Sequence, residues 1–202
     1  MMEQGNLPTQ RVNISTQKML GGIGSILIAI GWVSSWVPGI GVLLSFAGLA
    51  GPILWLVSLY QLSNMLKKSD IFRKALIGFI LQIVGFVISY SLIWEALREV
   101  PEAALYSLRG DEIGNLLGAI ISTMAVIFAY PFNVISSYFY KRACDILSLA
   151  TAQNLFKTAG LLIFIGAITT LFVLGLLLIF VGYIVLAAAF FTAPNEVEVK
   201  GT

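Results

Sequence analysis

Residues 158–195 are 38 consecutive positions without a charged side chain, and no other stretch restricts the fold as much. The hydrocarbon core of a bilayer is about 30 Å thick and is crossed by about 20 apolar helical residues. One straight helix over the run would be about 57 Å long, far more than one crossing uses. The economical solution is a tight hairpin of two short spans, turning near Val173-Leu174-Gly175. The expected fold class is therefore all-α: a polytopic transmembrane helix bundle.

Composition agrees. Of the 202 residues, 58% are hydrophobic and 11% charged, less than half the charged share of about 25% usual in a soluble domain. No polar stretch is long enough to bury a core of its own. Histidine is absent, which removes the commonest metal ligand and the usual proton carrier near neutral pH. Cys144 stands alone, so no intramolecular disulfide and no thiolate metal cluster forms within one chain. A net charge of +2 is too small to point to nucleic acid as a partner. The partner implied is the lipid bilayer, and no cofactor or metal is expected.

Six spans organise the chain. Residues 1–18 read as a polar, loosely ordered cytoplasmic N-terminus, and residues 194–202 as a cytoplasmic tail. Between them, one helical domain over 19–193 comprises a first hairpin (19–64), a middle pair (75–140) and a last hairpin (157–193). The first span, 20–37, ends in Trp36-Val37-Pro38-Gly39, a turn and not a cleavage site, so it is no signal peptide. The second span, 41–62, contains Pro52, and a basic loop over 67–74 leads to the third, 75–94. Pro101 and Gly110 then bracket a short helix over 102–109, expected to lie on the membrane surface between spans three and four. The fourth span covers 113–138, followed by a basic, partly amphipathic connection over 141–157. A five-span alternative, with the final run as one helix, moves only the tail.

Charge placement fixes the expected threading. With six spans and both ends inside, ten of the twelve lysines and arginines fall in cytoplasmic segments and only Arg98 and Arg109 outside. This is the positive-inside pattern, and it predicts a multi-pass protein of the plasma membrane with both termini cytoplasmic.

Two blocks repeat. Gly41-Val-Leu-Leu-Ser-Phe-Ala-Gly48 shares glycine, leucine and phenylalanine offsets with Gly175-Leu-Leu-Leu-Ile-Phe-Val-Gly182, and Leu27-Ile-Ala-Ile-Gly31 aligns with Leu162-Ile-Phe-Ile-Gly166. The match reads either as one hairpin unit used twice or as chance similarity in a Gly/Leu/Ile-rich chain.

Leu20-Gly21-Gly22-Ile23-Gly24, Asp70-Ile71-Phe72, Leu155-Phe156-Lys157-Thr158-Ala159-Gly160 and Ala189-Phe190-Phe191 resemble an uncharacterised prokaryotic membrane family, domain of unknown function 996, of archaea and bacteria. The similarity covers nearly the whole chain except the acidic loop over 98–112. It implies a multi-span fold and no assigned activity.

No charge lies inside a span; Glu95 sits at the outer end of the third. The candidates for intramembrane chemistry are therefore neutral. Gln82 and Asn133 lie at similar depth on antiparallel spans, where their amides can bond as interhelical glue or line a polar pocket. Pro131 lacks a backbone donor and frees a carbonyl one turn earlier. With Tyr130, Ser136, Ser137 and Tyr90 it marks a possible small cavity, though a kink serving packing alone is the simpler reading. Small residues four apart (Gly114, Gly118 and Ser122; Ala47 and Gly51; Gly21 and Ser25) suit close helix packing, within the chain or against a partner. Trp32, Trp36 and Trp94 read as outer interfacial anchors, and Tyr138, Phe139 and Tyr140 as inner ones. Cys144 beside Lys141 and Arg142 is either a thiol of lowered pKa or a buried inert one.

No nucleophile–base pair, phosphate loop or ligand spacing is visible, so an enzyme is not expected. The leading expectation is a non-catalytic structural or interaction protein, self-associating or part of a membrane complex, in which Gln82 contacts Asn133 in a closed interior. The alternative is a carrier or channel for a small neutral or lipid-like solute, with a cavity lined by Gln82, Tyr90, Tyr130 and Asn133.

Overall fold

The computed structural model describes residues 9–34, 41–98 and 112–200. They form β1 (Thr9–Asn13), α1 (Ser15–Ser34), α2 (Gly41–Met65), α3 (Ser69–Arg98), α4 (Glu112–Thr151), α5 (Asn154–Ile168), α6 (Val173–Thr192) and β2 (Glu196–Lys200). The surface helix expected over 102–109 lies outside the described residues, as does Trp36. Among the described residues, α3 over 69–95 and α6 over 174–192 are long and apolar enough to cross a membrane.

The uncharged run breaks into two helices, but the break falls at residues 169–172, and Val173-Leu174-Gly175 already belongs to α6. The reason is local: Thr169 and Thr170 turn their hydroxyls back onto the carbonyls of Ile165 and Gly166 and close the helix end. The basic connection expected over 141–157 is largely helix, because α4 runs unbroken to Thr151. Its buried residues Ser136, Ser137, Tyr140, Ala143, Cys144, Leu147, Ser148 and Thr151 fall on one stripe at steps of one and three, the pattern of a helix face packed on a core. Likewise α3 starts at Ser69, so the first basic loop shrinks to a short turn with Lys67 at φ 53.

The described chain is helical, as expected, apart from one short ribbon, and that ribbon corrects the expectation of a loose N-terminus. β1 pairs antiparallel with β2, Val12 opposite Val197 and Arg11 opposite Glu198. Glu-Val-Glu-Val-Lys over residues 196–200 alternates with a period of two, which puts valines on one strand face and charges on the other. Val197 is buried against the bundle while Arg11 and Glu198 face solvent, 3.4 Å apart. The Asn13 side chain then accepts from the Ser15 amide to start α1. The Ile14 amide donates to Asn195 O, and Lys18 Nζ donates to Ala193 O. The first and last described segments thus lie side by side.

The helices close a circuit: α2 packs on α1, α1 on α6, α6 on α5, α5 on α4 and α4 on α3, while α3 meets α2 near their turn, where Tyr60 and Phe72 stack edge to face. Glycines set the closest approaches. A Cβ on Gly51 would lie 2.7 Å from the Ile28 amide nitrogen, and Gly31 abuts Gly48. In the last hairpin, a Cβ on Gly166 would lie 2.8 Å from the Ile179 amide nitrogen, and Gly182 faces Ile163. The repeated glycines therefore sit at the seam of both hairpins, but in registers about one turn apart.

Heights along the bundle are unequal. Tyr130 Oη donates to Ile168 O at 2.7 Å, so the α5–α6 turn is level with Tyr130 on α4. From there α4 continues to Glu112, about 27 Å further. α3 accompanies it, with Gly85 packed on Phe132. The α3–α4 pair is thus an arm that rises past the last hairpin.

Candidate functional site

One group of interior polar side chains centres on Tyr140. This tyrosine is buried in the core rather than standing in an interfacial belt. Its ring meets Trp55 of α2 edge to face, centroids 5.2 Å apart. Its hydroxyl donates to Gln82 Oε1 of α3 at 3.0 Å. Room for it comes from Gly78, one turn before Gln82, whose Cβ would lie 2.7 Å from the Tyr140 ring. Tyr183 of α6 and Cys144 of α4 belong to the same buried cluster.

One polar atom of this cluster has no hydrogen-bond partner, Trp55 Nε1 on a residue 4% exposed, while the buried Ser136 hydroxyl bears on that of Tyr140. Trp55 stands out because buried hydroxyls elsewhere are satisfied. Ser25, Ser89, Ser137 and Thr151 each donate to a carbonyl three or four residues back, and Ser58 donates to Gln17 O on α1. An unpaired donor in a dry interior costs about 1–3 kcal/mol. The cluster is therefore donor-rich and uncharged, suited chemically to an acceptor oxygen.

One turn below, Lys141 Nζ pairs with Asp145 Oδ2 at 2.8 Å, both side chains mostly buried, while Asp145 Oδ1 is buried and unpaired. Burial first, and then the Asp145 charge, push the Cys144 thiol up to about 12, with Lys141 opposing. Cys144 is thus an inert core thiol, not an activated one.

The remaining candidates divide. Gln82 takes its bond from Tyr140 and not from Asn133, which is half-buried a little higher on α4. Tyr130 is used at the α5 end. Ser137 is buried and bonded to Val134 O, and Pro131 is exposed. Tyr90 points outward, stacked on Phe86, and lines no interior. Gly51 lies in the α1–α2 seam, whereas the surroundings of Ala47, Gly114, Gly118 and Ser122 lie outside the described residues. Of the interfacial anchors, Trp94 and Tyr138 are exposed and Trp32 is half-buried. Sequence reasoning missed Trp55, Tyr140 and Tyr183 as a centre. It also missed the stripe Gly78, Gly85 and Ser89, buried on the α4-facing side of α3 and spaced seven and four apart.

The comparisons with known proteins are of one kind. The profile of a family described as protein of unknown function (DUF996) matches residues 47–184. An uncharacterized protein of Methanocaldococcus jannaschii, MJ1644, is 26% identical over 192 residues, 93% of this chain and 97% of its own length. No solved structure matches the chain.

Proposed function

We propose, from the premise that the chain belongs to the DUF996 family of proteins of unknown function, that it is a multi-pass protein of the plasma membrane acting non-catalytically, as a structural or interaction subunit. The observation that carries this reading is the arm. On α3 Phe86 (70% exposed), Val87, Ile88, Tyr90 and Trp94, and on α4 Met124, Ile127 and Phe128, lie open on several sides of two packed helices. Exposed apolar surface this continuous belongs against lipid or a partner. The strand pairing supports a shared compartment for both chain ends, since paired strands cannot be parted by a bilayer. The basic residues of the first basic turn and of the α4 and α5 bases favour the cytoplasm for that side.

Sidedness tests it. In a Cys144→Ala background, Ser69→Cys and Glu95→Cys bracket α3. Labelling with an impermeant maleimide is expected only in inverted vesicles for the first and only in right-side-out vesicles for the second. Labelling from the same side for both, or extraction of the protein by alkaline carbonate, overturns the reading.

The second reading, a carrier for a neutral or lipid-like solute, is favoured by the unpaired Trp55 Nε1 beside the Ser136 and Tyr140 hydroxyls. It expects a lipid carrying acceptor oxygens to co-purify in mild detergent and to be lost from Trp55→Phe and Ser136→Ala. Equal recovery from both variants removes this reading.

A further inference from the structure

The outer flanks of α4 and α5 read alike toward the base of the bundle. On α4, Ile135, Tyr138 and Arg142 are spaced three and four apart, and on α5, which runs the other way, Ile168, Phe164 and Lys157 are spaced four and seven apart. Residues at such spacings share one helix face. Each face therefore passes from an aliphatic side chain through an aromatic ring to a cation. The two faces are neighbours. The Tyr138 and Phe164 rings meet with centroids 6.0 Å apart, and a Cβ on Gly160 would lie 3.1 Å from Lys141 Cα. Gly160 is three residues from Lys157, and Lys141 adjoins Arg142. The two cations thus spring from backbone about one turn apart along the α4–α5 groove. α6 packs on the other side of α5, at Ile163 and Gly166. It leaves this flank open: Ile135, Tyr138 and Ile168 are each at least 40% exposed.

The cations are positioned but not spent. Arg142 Nε donates to Tyr138 Oη at 3.0 Å, and the guanidinium carbon lies 5.4 Å from the centre of the Tyr138 ring. This anchors the guanidinium and leaves the edge between its two terminal nitrogens open. Neither Arg142 nor Lys157 makes an ion pair among the described residues, whereas Lys141 is taken by Asp145 at 2.8 Å. Lys141 and Asp145 cancel, so this end of the groove carries two uncompensated positive charges. A planar guanidinium edge matches two oxygens of a phosphate, and a lysine adds a movable point charge. Basic sites between helices at a cytoplasmic surface suit anionic headgroups for the same reason.

We infer that the outer α4–α5 groove binds one anionic phospholipid, its phosphate on the open edge of Arg142 with Lys157 as second cation and an acyl chain along Phe164, Ile135 and Ile168. A zwitterionic lipid fits less well, because its ammonium would stand beside Arg142 and Lys157 with the only nearby carboxylate, Asp145, already held by Lys141. The inference rests on the bilayer placement proposed above, and the labelling controls given there separate the two.

The test titrates the full-length protein in mild detergent with dioleoyl phosphatidylglycerol or dioleoyl phosphatidylcholine and counts bound lipid by native mass spectrometry. The first phosphatidylglycerol is expected to bind about tenfold more tightly than the first phosphatidylcholine. Arg142→Gln and Lys157→Gln should each weaken it about fivefold and leave phosphatidylcholine unchanged. Lys68→Gln with Arg73→Gln, which removes two charges from the α2–α3 turn, should weaken it less than about twofold. Tyr138→Phe keeps both charges but frees the guanidinium, and should weaken it about threefold. All five positions are exposed, where substitutions usually leave stability nearly unchanged. Equal affinity for the two lipids, or an equal loss in the turn variant, overturns the inference. Displacement of phosphatidylglycerol by millimolar inorganic phosphate, but not by chloride of equal ionic strength, marks a site for free anions and overturns it too. Labelling of Ser69→Cys and Glu95→Cys from the same side removes the bilayer reading, and this inference with it. Opposite labelling without a lipid preference removes this inference alone.

Discussion

The α3–α4 arm and the α5–α6 hairpin are both antiparallel helix pairs joined at glycines, yet they solve different problems. The hairpin is embraced by α1 and α4, and its core residues Phe156 and Phe190 lie ring to ring, 4.9 Å apart. The arm rises past the hairpin, and among the described side chains of its outer half few are buried beyond the seam at Gly85 and Ser89. The difference teaches that side-chain hydrophobicity alone does not say what a helix packs on. The same residue types serve as protein core at the base and as outer surface on the arm.

The largest contrast is between two phenylalanines. Phe156→Ala should destabilise the protein by about 3–5 kcal/mol in detergent unfolding, because Phe156 is fully buried. Phe86→Ala, on the exposed arm, should change stability by less than about 0.5 kcal/mol. Equal losses would mean that the arm is covered by a further contact. Next come two glycines. Gly166→Leu meets backbone, the Ile179 amide and Gly175 O, whereas Gly85→Leu meets only the Phe132 side chain. Both should cost about 3 kcal/mol, since the Phe132 atom met first is its Cβ, which rotation about χ1 does not move. A much smaller loss at Gly85 in thermal unfolding would mean that the arm opens to take the new side chain.

Smaller is the link between the two regions. Tyr130→Phe removes the donor to Ile168 O and should cost about 1–2 kcal/mol, read as a lower midpoint in the same unfolding assay. No change would detach the hairpin tip from the arm. Smallest of all is Cys144. With its thiol pushed up to about 12 by burial, it stays protonated at lower pH. The folded protein should show negligible maleimide reaction from pH 6 to 9 and full reaction once unfolded. Labelling that rises between pH 7 and 8 would mean an open, charge-stabilised thiol.

Much of the helical plan was legible because uncharged runs of fixed length admit few solutions. The split of residues 158–195 followed from length alone. Its position did not: the stop is made by Thr169 and Thr170 bonding backward, a choice that hydropathy does not register. The extension of α4 to Thr151 was hidden by Lys141, Arg142 and Asp145, which look like a loop but occupy positions around a continuous helix. The terminal ribbon carried a period-two signal in Glu196 to Lys200, but its partner lies at the other end of the chain, and pairing over that distance leaves no local trace. The site was half legible. Gln82 was singled out, but its partner Tyr140 was read as an anchor, because aromatic residues at a helix end look the same whether they face lipid or core.

The most direct test of the bilayer account is a spin-label scan along α3 from Ile80 to Trp94 in reconstituted vesicles. The account predicts high oxygen and low nickel-chelate accessibility at Ile83, Phe86, Val87 and Tyr90, on several faces of the helix, with immobile labels confined to Gln82, Gly85 and Ser89. High nickel-chelate accessibility along the arm would place it in water and contradict the account.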